Sequence, residues 1–198
     1  DNNTAVGSLA LFSNTTGAEN VAVGADAGKA NTTGAYNIAI GYRALDTNTT
    51  GDFNVAIGRR ALDANTTADN NTAVGASALE ANTTGAENVA VGALALDANT
   101  TGANVVAVGY KALSTDTKGF GSVAIGNQAL ENQNFTSNTD TYNTAVGYFA
   151  GNDITTGVQN VLIGGQSGDS LTDADFNVGI GTSALGADTK GSRNVGIG

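Results

Sequence analysis

The sequence predicts an all-β chain, a parallel β-solenoid of about eleven 17-residue coils, and three observations carry that expectation. Gly7, Gly24, Gly41, Gly58, Gly75, Gly92, Gly109 and Gly126 stand 17 residues apart; after one interval of 21, Gly147, Gly164, Gly181 and Gly198 resume the step. Each of these twelve glycines follows Val or Ile and opens the same downstream pattern. Seventeen residues are too few for two amphipathic helices and a turn, but they suit two short strands joined by bends.

Coils are numbered here from the position four residues before each marker glycine. Coil one begins at Asn3, coil three at Asn37, coil six at Asn88, coil seven at Val105, coil eight at Ser122, coil nine at Asn143 and coil eleven at Asn177. The unit from Asn37 is typical: N-I-A-I-G-Y-R-A-L-D-T-N-T-T-G-D-F. Its opening alternates as a strand does, and β-branched side chains favour that conformation. A-L-D-T predicts a second short strand, and N-T-T-G a turn. The Asn column (Asn20, Asn37, Asn54 and equivalents) predicts a structural ladder of amides bonded along the stack. The marker glycines, such as Gly24, Gly41 and Gly58, predict positive φ or close backbone approach.

Absence of charge identifies the faces expected to be dry. Across twelve copies the opening strand carries no charged residue. Its branched columns (Val21, Ile38, Val55 and Val23, Ile40, Ile57) point one way and its small column the other. A strand of a solitary solenoid should have one wet face, so both faces are expected to be covered, one within the coil and one by another subunit. The small column Ala22, Ala39, Ala56, Ala73 and Ala90 is assigned to the subunit seam. Ala56→Asp is then expected to break assembly. Asp63→Lys is expected to be silent, because Arg43, Asp46, Arg60, Asp63, Glu80 and Asp97 occupy solvent positions.

Composition excludes several functions. The chain of 198 residues has 18 acidic and 8 basic residues, a formal charge of −10, which argues against nucleic acid and anionic lipid as partners. No apolar run is long enough to span a membrane. Without Cys or His there are no disulfides and no ordinary zinc sites, and Asp169, Asp173 and Asp175 lack the spacing of a calcium loop. No metal or cofactor is expected. Repetition supplies no unique set of reactive groups, so an enzyme is not expected either. The start at Asp1 without Met suggests residues 1–198 are one repetitive segment of a longer fibre.

N-V-A-I-G at Asn54–Gly58 and S-V-A-I-G at Ser122–Gly126 resemble the head repeats of trimeric autotransporter adhesins of the YadA type. The longer unit N-T-A-V-G-x-x-A-L-x-x-N-T-T-G, at Asn3–Gly17 and Asn71–Gly85, resembles repeats of phage tail fibres and related bacterial surface proteins. The resemblance implies a left-handed β-roll, a homotrimer, and an extracellular setting on a bacterial surface or virion. It implies adhesive spacing as the function, with a host-surface receptor or glycan as partner.

The remaining features have competing readings. Asn14, Asn31, Asn48, Asn65, Asn82 and Asn99 sit in N-glycosylation sequons that also read as turns. The Thr columns raise an ice-binding solenoid, and open coil ends raise a self-assembling filament; thermal hysteresis and electron microscopy distinguish these. Aromatics beside the strand (Tyr36, Phe53, Tyr42, Tyr110) read as edge shielding or as a glycan stripe. The 21-residue coil at 122–142 carries an insertion, and Asn134, Phe135, Thr136 and Tyr142 form its candidate contact loop.

Overall fold

The computed structural model describes residues 2–198, so Asp1 of the repetitive segment lies outside the described residues. Twelve three-residue strands, from Thr4–Val6 to Val195–Ile197, form one parallel sheet in chain order. Neighbours pair column on column: Val21 faces Ile38, Ala22 faces Ala39 and Val23 faces Ile40. That register is what a 17-residue repeat dictates, since each coil returns the chain to the same position one strand further on. The described residues contain no helix. The fold is a parallel β-solenoid of about eleven coils, roughly 50 Å long at about 4.8 Å per coil. Gly119–Phe120 and Thr139–Asp140, brought together by the insertion, form a separate two-stranded pair.

The predicted second strand does not form. Its place is taken by a run of turns in which alternate residues are left-handed: Arg43 has φ 55° and Leu45 φ 54°, with Arg60 and Leu62 repeating them. The turn amides still bind adjacent coils, Arg43 N–H donating to Ala25 O at 3.0 Å and Leu45 N–H to Ala61 O at 2.9 Å. A left-handed non-glycine residue costs roughly 1–2 kcal/mol. Burying a leucine returns roughly 1.5–3 kcal/mol, and Leu45, Leu62 and Leu79 are sealed from solvent. Burial wins.

The marker glycines have both properties expected of them. Gly24 has φ +136°, and a Cβ there would stand 2.6 Å from the carbonyl oxygen of Gly41 in the next coil. No side chain fits between backbones that close.

The face assignment is reversed. Ala22, Ala39, Ala56, Ala73 and Ala90 are 0–2% exposed within the single chain, packed against Ala44, Leu45, Ala61 and Leu62 of the turn runs. The alanine column is the roll's own core and leaves no surface for a sister subunit. The reason is volume: a 17-residue coil encloses room for alanine opposite leucine, so the bulkier branched pairs are turned outward.

Candidate functional site

The branched pairs therefore form the outer surface of the sheet. One column runs Thr4, Val21, Ile38, Val55, Thr72, Val89 and onward; the other runs Val6, Val23, Ile40, Ile57, Val74, Val91 and onward. Ile40, Ile57, Val91, Ile125, Ile163 and Ile180 are 36–41% exposed. No charged residue interrupts either column. Three-residue strands over roughly 50 Å give an apolar lane of about 500 Å², at the upper end of the largest patch on a typical monomer. Aromatics extend it on both rims. Tyr36 and Phe53 stack rung on rung at 4.9 Å with 2° between their planes, and Tyr42, Tyr110 and Tyr148 stand half-exposed beyond the glycines.

A charged ladder runs along the turn side. Arg43 Nε donates to Asp46 at 2.9 Å, and its Nη2 lies 3.2 Å from Asp63 Oδ1 in the next coil. Arg60 repeats the arrangement, holding Asp63 at 2.8 Å and Glu80 of coil five at 2.8 Å. Hydrogen bonding to Asp46 and the nearby charge of Asp63 raise the Arg43 pKa above its ordinary value. Asp46 and Asp63 are buried, so these are not the free solvent positions expected of them. Asp63→Lys would set a cation against two arginines.

Both asparagine columns point inward. In the first, Asn20 Oδ1 accepts from Asn37 N–H at 2.9 Å, while Asn20 Nδ2 donates to Gly34 O at 2.8 Å across the coil. In coils two to six this ladder thus runs from side-chain oxygen to backbone amide rather than from amide to amide. Amide-to-amide bonding belongs to the second column: Asn48 Nδ2 donates to Asn31 Oδ1 at 2.9 Å, and Asn65 to Asn48 at 2.9 Å. Asn31, Asn48, Asn65, Asn82 and Asn99 are at most 1% exposed, so these five sequon nitrogens are out of reach in the folded rod, while Asn14 in the first coil is half-buried. The first Thr of each N-T-T bonds along the stack, as Thr32 does to Thr49 O at 2.9 Å. In coils two to four the second rank, Thr33, Thr50 and Thr67, is the exposed one.

The insertion is anchored by a polar knot that sequence reasoning missed. Gln133 Nε2 donates to Asp116 Oδ2 at 2.6 Å, and Gln133 Oε1 accepts from Asn143 at 2.8 Å. Ser122 and Thr141 share a hydroxyl bond at 2.5 Å. All five side chains are buried. The knot replaces both asparagine columns where they fail together, at Val105 and Ser122 in one and Asp116 in the other; that coincidence was the readable signal. Phe135 is buried at 7% exposure and its N–H donates to Asp116, so it is not free for contact. Thr136 and Tyr142 are exposed, and Asn134 is half-buried.

Among the described residues no cavity is enclosed, and no three His, Cys, Asp or Glu gather where a metal would sit. No described helix is long and apolar enough to cross a membrane. No family model matches this chain, and no curated protein or solved structure matches it either.

Proposed function

We propose that this chain is a non-enzymatic structural and adhesive segment of an extracellular fibre, on a bacterial surface or a virion. Copies associate as a homotrimer of left-handed rolls whose shared seam is the Val and Ile lane. The observation that carries this reading is the lane itself: an uncharged aliphatic surface that extends along the rod and is left uncovered by its own chain. Burial of such a surface is favourable in proportion to its area. The outward charged ladder and the exposed Thr136 and Tyr142 remain on the free sides, where a receptor or glycan would be met repeatedly and weak contacts would add.

Light scattering tests the reading. The expected mass is three times 19.5 kDa, with Ile40→Asp/Ile57→Asp giving a folded monomer because both side chains sit outside the core. A wild-type chain that is monomeric and folded at high concentration would overturn it. Growth into long filaments would favour end-to-end assembly instead.

A further inference from the structure

Coil-to-coil contacts are not evenly strong. Arg43 ties coil three to four, Arg60 ties four to five, and Lys111 ties seven to eight through Glu131 at 3.1 Å. Ser77 and Leu94 occupy the arginine position in coils five and six, so among the described residues no ion pair crosses from five to six or from six to seven. Two of the three buried side-chain oxygens without a hydrogen-bond partner, Asp97 Oδ1 and Asn99 Oδ1, lie in coil six. Asn99 loses its partner because the next rung is Asp116, a carboxylate with no hydrogen to donate. Ala30, Thr47, Ala64 and Ala81 each bond a carbonyl of the following coil, whereas Ala98 has no such bond to coil seven. Val105 replaces the ladder asparagine; its N–H still donates to Asn88 Oδ1 across this joint at 3.0 Å, and the ladder stops there.

We propose that the interface between coils six and seven is the joint at which this rod opens first, and that a proton on Asp97 closes it. In a solenoid each repeat contacts only its neighbours, so the weakest interface sets where the stack parts. Burial makes the Asp97 carboxylate unfavourable and Glu80 of coil five repels it; the amides of Asp97 and Ala98 and the charge of Lys111 in coil seven oppose this only in part. Its pKa is pushed up from 3.8 to about 6. The folded joint therefore holds more protons than the opened one between those values. Its stability falls as pH rises through that window and returns on acidification. The insertion crosses the same joint from outside, Thr101 Oγ1 of coil six reaching Asn138 at 3.4 Å. The inference does not depend on the fibre reading.

Hydrogen exchange, corrected for intrinsic rates, tests it on the whole chain at pH 7.5 and pH 5. At pH 7.5, residues 94–104 should exchange about tenfold faster than the equivalent residues 43–53, and the gap should narrow at pH 5. Asp97→Asn should narrow the gap at pH 7.5, leaving the part due to Asn99 and Ala98, and abolish the response to acid. Leu94→Arg, which supplies the cation that Arg43 gives Asp46, should also slow exchange at pH 7.5. Equal protection of the two segments at both pH values would overturn the proposal. So would an acid response that survives in both variants.

Discussion

Coils three to six and coils nine and ten wrap the same backbone around different interiors. In the first group Leu45, Leu62, Leu79 and Leu96 fill the core from the turn run, and asparagine occupies the position three residues on. In coils nine and ten that leucine is replaced by Gly151 and Gly168, and the asparagine by Ile154 and Leu171. Leu162 also takes the place of alanine in the strand, and its methyls lie where a Cβ on Gly168 would fall, 2.6 Å away. Apolar volume has moved around the coil, not out of it. The polar side adjusts as well. Gly51 O accepts from both Asn37 and Asn48, whereas Gly157 O accepts from Asn143 alone, so no carbonyl is orphaned when the second amide goes. Amide-to-amide bonding shifts to the first column, Asn160 donating to Asn143 at 3.1 Å. The backbone is specified by volume and bond count, and the columns that supply them are interchangeable.

The most damaging break should be Ala56→Asp, which puts a carboxylate among Leu45 and Leu62 with no partner. The cost should exceed about 4 kcal/mol, and circular dichroism should show loss of the cooperative fold, not merely of assembly. Next comes Leu162→Ala, expected to cost about 2–4 kcal/mol in urea denaturation. Paired with Gly168→Ala, it makes a cycle: the glycine substitution should be severe beside Leu162 and fall once that leucine is cut back, leaving the left-handed cost of roughly 1–2 kcal/mol and the contact with Leu171 Cδ1 at 2.9 Å. Purely additive effects would show that the two positions do not share volume. The smallest effect should be Asn65→Ala, at about 1–2 kcal/mol, because Ala68 O keeps its bond from Asn54 while Asn82 loses an acceptor.

The repeat, the opening strand and the glycine-marked bend were readable because period 17 and period 2 are independent of context. Which strand face lies inside was not. Alternation distinguishes Ala56 from Val55 and Ile57, but the usual rule that larger apolar residues go inward fails in a coil too narrow to hold them. The turn run was misread as strand because leucine rarely tolerates positive φ. Gly28, Gly151 and Gly168 in the leucine column were the available clue, since glycine and leucine share a position where backbone shape is fixed and volume is negotiable. The joint failure of both asparagine columns marked the place of the knot, but its members were not readable, because they are scattered from Asp116 to Asn143 and converge only after the insertion folds back.

In-register pairing of every coil with its immediate neighbours has a consequence for the gene. Deleting 17 residues such as 54–70 would present Asn37 Oδ1 to the amide of Asn71, the same bond it makes with Asn54. Duplication would do the same in reverse. Rod length is therefore quantised, and recombination between repeats can lengthen or shorten it in steps of about 4.8 Å without inventing a new contact.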